Sequence, residues 1–147
     1  MSLEKNKAIV RKILEAFNKR NLTLLDELVS PDYVDHYHQA HGLEDTKRFL
    51  TMLIKGFPDF HMTIEDMMAE GDKVWVRAKQ TGTHASEFRG SAPTGKKIAF
   101  TGIDIFHMVD GKATEVESVY DMLDFFKQLG IIEYTEKAKT FFSKPLS

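Results

Sequence analysis

The chain has no cysteine among its 147 residues. That excludes disulfides, thiolate metal sites and cysteine nucleophiles, and fits a reducing compartment. No unbroken apolar run is long enough to span a bilayer, and the charged N-terminus MSLEKNKAIVRKILEAF lacks the apolar centre of a signal peptide. No basic stripe stands out, because 20 Lys and Arg are scattered among 22 Asp and Glu. Nucleic acid and membrane are therefore not expected partners, and a cytoplasmic protein is expected. Internal repeats, low-complexity tracts and linkers are also missing. At 42% hydrophobic content the chain fits one domain over 1–147, with a core of about 8–130 and an extension over 131–147. A chain of this length buries roughly 70% of the surface its unfolded form exposes.

What is present begins with helices. Ile9, Val10, Ile13, Leu14 and Phe17 recur at helical spacing. A short helix is predicted from about Leu22 to Val29, ended by Ser30-Pro31, because proline disfavours helical geometry in the residue before it. The segment DYVDHYHQAHG then reads as a polar loop. A third helix, about Leu43 to Lys55, stops at Gly56.

After Pro58 the period changes to two. Phe60, Met62 and Ile64 alternate with polar residues, EGDK makes a turn, and Val74, Val76 and Ala78 start a second strand. ASEFRGSAPTGK is a loop. Ile98 to Val109 and Ala113 to Tyr120 form a hairpin about Asp110-Gly111, and Met122 to Leu129 suggest a closing helix stopped by Gly130. Helices grouped ahead of an antiparallel sheet indicate an α+β fold, with helices covering one face of the sheet. The tail Ile131 to Ser147 is expected as a further helix or as an arm pairing with a second subunit.

The last hairpin carries carboxylates among apolar positions. If Asp110-Gly111 forms a two-residue loop and the ladder is regular, Asp104 lies opposite Glu117 and Asp121 opposite Phe100. Asp104, Glu117 and Asp121 then share one face with Phe100, Phe106 and Val119. A bulge would break this grouping. Like charges about 5 Å apart at an effective dielectric near 20 repel by roughly 3 kcal/mol, or about two pKa units. One carboxyl would keep its proton near neutrality, as general acid/base chemistry requires. The alternative is a solvated face whose acids cap strands.

Other motifs weigh less. Asp35, His36, His38 and His41 have metal-ligand chemistry, but no later His-rich segment closes a site, so no metal is expected. GSAPTGKK fails as a phosphate loop, since Lys97 replaces the magnesium-binding hydroxyl and a strand follows where a helix is needed. Asn21-Leu22-Thr23 matches a glycosylation acceptor and reads as helix-boundary chemistry.

GFPDF (56–60), AEGDKVWVR (69–77), TGTHASEFRG (81–90), PTGK and GIDIFHMVDGK (102–112), taken in order, resemble the SnoaL-like polyketide cyclases, also known as ester cyclases. The resemblance implies a cone-shaped α+β barrel enclosing a pocket, and intramolecular aldol condensation without cofactor or metal. It implies Asp121 as the acid/base aspartate, Asp104 as a second pocket residue and His36 at the pocket mouth. Glu117 would tune their pKa values, and Phe100, Phe106, Val119 and Tyr33 are expected to contact substrate. Where relatives commonly read Glu-His-Trp after the turn, this chain has Glu115, Val116 and Glu117, which points to a smaller, more polar or cationic substrate. A small-molecule enzyme acting as a homodimer is expected; the alternative is a binding protein of the same fold, or an interaction domain that dimerises through its sheet.

Overall fold

The computed structural model describes residues 2–143. Helix α1 (Leu3–Asn18) begins where the Ser2 hydroxyl accepts the Lys5 N–H at 3.2 Å, and buries Val10, Leu14 and Phe17 on one face. A 3-10 turn (Leu22–Leu24) runs into the single-turn helix α2 (Leu25–Leu28). Strands β1 (Val29–Asp35) and β2 (Ala40–His41) follow, then α3 (Leu43–Gly56). The chain continues as β3 (His61–Glu70), β4 (Lys73–Thr83), β5 (Lys97–Val109) and β6 (Lys112–Tyr120), and ends in α4 (Met122–Leu129) and α5 (Glu136–Ser143).

The six strands form one sheet in the order β2-β1-β6-β5-β4-β3, and it is curved and open. The expected curved, cone-like sheet is present and mostly antiparallel; it does not close, and β1 runs parallel to β6. The α+β class stands. β1 lies in the segment read as a helix end and polar loop. Pro31 lies in a stretch where the pairing with β6 is interrupted between Val29 and Val34, so the missing N–H costs no ladder bond there.

One face of the sheet is apolar. Val74, Val76 and Ala78 on β4, Phe106 and Met108 on β5 and Val116 on β6 pack with Val10 and Leu14 of α1. A second cluster joins Phe17, Leu53, Phe57, Phe60, Ile98 and Phe100 to Phe125 and Leu129 of α4. Each such side chain contributes roughly 1.5–3 kcal/mol through burial. The free edge at β3 is partly covered: Asn18 donates to the Met62 carbonyl at 2.8 Å and accepts from its N–H at 2.9 Å.

The β5–β6 hairpin decides which side chains meet. Its turn is the expected one, with Asp110 at φ 48° and Gly111 at φ 80° and Val109 opposite Lys112. Met108 pairs with Ala113, but His107 pairs with Glu115. Thr114 is the extra residue, and its hydroxyl donates to the His107 carbonyl at 3.2 Å. Beyond this bulge the register moves by one, so Asp104 faces Ser118 and Gly102 faces Tyr120. The grouping of Asp104, Glu117 and Asp121 is therefore corrected. Val116, Ser118 and Tyr120 turn inward, while Glu117 and Val119 lie on the outer face, Val119 being 70% exposed.

Candidate active site

Between the inner sheet face and helices α1, α3 and α4 lies a cavity of about 660 Å³. Its walls are mostly apolar and aromatic, with Phe17, Phe49, Phe60, Phe100 and Phe106 among them. Polar groups on the sheet side of it include Asp35 and His38 from β1 and the turn after it, Gln80 from β4, Asp104 from β5 and Tyr120 from β6.

Asp104 is 6% exposed. Its Oδ1 accepts from the Ser118 hydroxyl at 2.6 Å and from the Tyr120 hydroxyl at 2.8 Å. Burial pushes this carboxyl above the ordinary aspartate value of 3.8; the Ser118 and Tyr120 hydroxyls oppose the shift, nearby Asp35 adds to it and His38 opposes it. The Tyr120 phenol is pushed well above its usual range by burial and by the Asp104 charge, so it stays a neutral donor. Tyr33, 5% exposed, is held neutral in the same way, by burial first and then by Asp35 and Asp104.

Gly102 makes the Tyr120 contact possible. A Cβ at that position would stand 2.1 Å from Cδ1 of Tyr120, so only glycine lets the ring lie across β5.

The second polar group is a dyad. Asp35, 7% exposed, takes the His38 backbone N–H on Oδ1 at 3.0 Å and lies 2.8 Å from His38 Nδ1 through Oδ2. With Nδ1 engaged by Asp35, Nε2 is the ring nitrogen left for a ligand. The His38 ring stacks on Phe49 with centroids 3.9 Å apart, which fixes its plane.

Of the residues expected at the site, Asp104, Phe100, Phe106 and Tyr33 line the cavity. Asp121 stands at the start of α4, exposed, where its side chain accepts the Asp124 N–H at 3.2 Å. His36 lies outside, 2.7 Å from Glu115 through Nε2, and this contact holds the Glu115 carboxyl below its usual range. Glu117 sits 3.5 Å from His107 on the outer face, and Val119 is outside as well. Their placement follows from the Thr114 bulge and from alternation along β1, which sends His36 and Asp35 to opposite sides.

Sequence reasoning missed Asp35 and His38 as a pair, and Gln80, Ser118 and Tyr120 altogether. The available signal was the Asp-x-x-His spacing at 35–38, which brings a carboxylate and an imidazole together across one turn. Ser118 and Tyr120 became visible only with the register.

Comparisons with known proteins place the chain in one family. The family model for SnoaL-like polyketide cyclases matches residues 7–129. Aklanonic acid methyl ester cyclase DauD of Streptomyces sp. (strain C5) is 28% identical over 129 residues, covering 83% of this chain and 80% of that protein. Among solved structures, AclR of Streptomyces galilaeus superposes with a TM-score of 0.80 at 28% identity, covering 90% of this chain and 100% of that one. TsrD of Streptomyces laurentii has the same fold, with a TM-score of 0.83 at 23% identity over 90% of this chain and 99% of that one. With the family model spanning most of its length, the chain belongs to the SnoaL-like polyketide cyclases.

Proposed function

We propose that this protein is a cofactor-independent acid/base enzyme that closes a ring in a small, largely apolar carbonyl compound, with Asp104 as general base. The observation that carries this reading is a buried carboxylate lining an apolar cavity, one of its oxygens tied to two hydroxyls. Oδ2 remains for substrate. It takes the proton from a carbon next to a carbonyl; the enolate carbon attacks a second carbonyl of the same molecule, and a carbon–carbon bond forms. Asp104 then returns the proton to the new alkoxide. A carboxyl whose affinity for protons is raised by burial is better matched to this exchange near neutral pH than an exposed aspartate. Neutral Tyr33 and the amide of Gln80 are available as donors to developing oxyanions, and Nε2 of His38 accepts from an enol or hydroxyl of the substrate. The apolar walls keep water from the enolate.

Relatives are named as cyclases of aklanonic acid methyl ester, so that compound and its free acid are the first to test, followed by metabolite extract. Products are followed by chromatography as well as mass, since cyclisation leaves mass unchanged. Conversion by the native protein and a loss of roughly 10²–10⁴-fold in Asp104→Asn is the expected outcome. Retention of a compound unaltered by both proteins would mean that the pocket binds without reacting.

We also assign the outer sheet face to contact with a second copy of this chain. Met68, Trp75, Ile103 and Val119 leave an apolar band there, with 61%, 44%, 37% and 70% of their surface exposed. Charges of both signs lie among these residues, with Lys73 opposite Glu70 and Arg77 opposite Asp66 on the neighbouring strand. A twofold axis through the band sets it against the same band of the partner.

A further inference from the structure

The ring-closing chemistry uses the buried end of the cavity and leaves its open end unexplained. That end is built by the loop after β4. Phe88 and Ser91 exchange backbone hydrogen bonds at 3.0 and 2.9 Å, which makes Arg89-Gly90 the tip of a two-residue turn. Both tip residues are left-handed, Arg89 at φ 49° and Gly90 at φ 84°. Gly90 suits this conformation. Arginine does not, since a Cβ in the left-handed region costs about 1–2 kcal/mol and the usual occupants are Gly, Asn and Asp.

The turn is also held in place. Ala85 and Ser86 donate to the Gly56 carbonyl at 3.0 and 3.2 Å, and the Phe88 ring stands edge-on to Phe57 with centroids 5.4 Å apart. Glu87 accepts the Gly90 N–H within the turn. Arg89, Gly90 and Ser91 all line the cavity. Among the described residues that line it, Arg89 alone carries a permanent positive charge, and it makes no ion pair within 4.0 Å.

Two tyrosines lie between this cation and the acid. The Arg89 charge acts on the Tyr37 phenol, opposing the effect of burial there. Tyr37 meets Tyr120 edge-on at 4.8 Å, and Tyr120 donates to Asp104 at 2.8 Å. The cavity therefore has an exposed cationic end, an aromatic middle and a buried carboxylate end.

We propose that Arg89 is a specificity-determining residue that holds an anionic group, and that the substrate is an aromatic or polyketide-like acid whose free carboxylate sits at the turn while its reactive carbonyl reaches Asp104. A planar guanidinium recognises a carboxylate through two parallel hydrogen bonds, and such charge-assisted pairs are about twice as strong as neutral ones. A methyl ester presents no charge to it. The inference names the substrate class of the reaction proposed above and rests on the cavity being its site.

The test reads binding and needs no turnover. 2-Naphthylacetate and its methyl ester are titrated by calorimetry into the native protein, Arg89→Asn and Arg89→Lys. Asparagine is at ease in a left-handed turn, so Arg89→Asn should melt no lower than the native protein while its affinity for the acid falls roughly tenfold or more and its affinity for the ester stays the same. Arg89→Lys should retain part of the preference for the acid. Equal affinity of the native protein for acid and ester, no binding of either, or an Arg89→Asn protein that binds the acid undiminished would each overturn the assignment. The two readings fail separately: Asp104→Asn should bind 2-naphthylacetate and lose turnover, so an active Asp104→Asn protein overturns the base without touching Arg89.

Discussion

Asp104 stands between two opposed effects, and their balance makes predictions at the residue scale. Burial favours its protonated form, whereas the hydroxyls of Ser118 and Tyr120 favour the carboxylate. A carboxyl whose folded-state pKa is raised contributes most to stability below its unfolded value near 3.8, and that contribution is lost as pH rises through the folded pKa. Asp104→Asn should therefore melt above the native protein at pH 7, with the gap closing as pH approaches 4; thermal melts at both pH values check this. Tyr120→Phe removes a hydrogen bond that lowers the pKa, so the acid limb of the pH–activity profile should move to higher pH. Gly102→Ala acts on the same contact by crowding. Its methyl would meet the Tyr120 ring, so a stability loss of about 1–3 kcal/mol is expected with a drop in activity, measured by melts and turnover side by side. None of these three roles could be read from residue types alone. Asp104 was picked out by its odd place in a strand, but Gly102, Ser118 and Tyr120 act through a pairing that the sequence does not spell out.

At the scale of elements, the hairpin shows where legibility ended. The Asp-Gly turn and the extent of β5 and β6 follow from turn chemistry and alternation, and both are present. Thr114 carries no mark of a bulge, since a β-branched residue is equally at home in a regular ladder, yet it moves Glu117 and Val119 outward and brings Ser118 to Asp104. β1 was hidden for a related reason: Ser30, Pro31 and Asp32 are poor strand residues, and only the buried Val29, Tyr33 and Asp35 reveal the alternation. Helices were easier, because an apolar stripe repeats over several turns and a single irregularity does not erase it. Asp121 follows from this picture as the N-cap of α4. Asp121→Ala should cost about 1 kcal/mol of stability, Asp121→Asn much less, since asparagine also caps. Turnover by Asp121→Asn should be close to native; its loss in a folded protein would restore the base role that the family resemblance implies.

Across the whole molecule, the two faces of the sheet divide the work. The inner face encloses the cavity, and the outer face carries the apolar band among charges of both signs. A band of this kind is larger than scattered surface apolar residues need be, which suits an interface that repeats itself about a twofold axis. The C-terminal helix α5 also exposes Phe141 and Phe142. If the sheet face joins two copies, Val119→Arg at its most exposed point should bury a cation in the apolar band of the partner and leave the monomer fold intact, because Val119 is 70% exposed in the single chain. Light scattering after size-exclusion chromatography should then show the native protein as a dimer and Val119→Arg as a monomer. None of the residues of this band lines the cavity, so the monomer should bind 2-naphthylacetate as the dimer does. A native protein that elutes as a monomer would leave the outer face without its proposed partner.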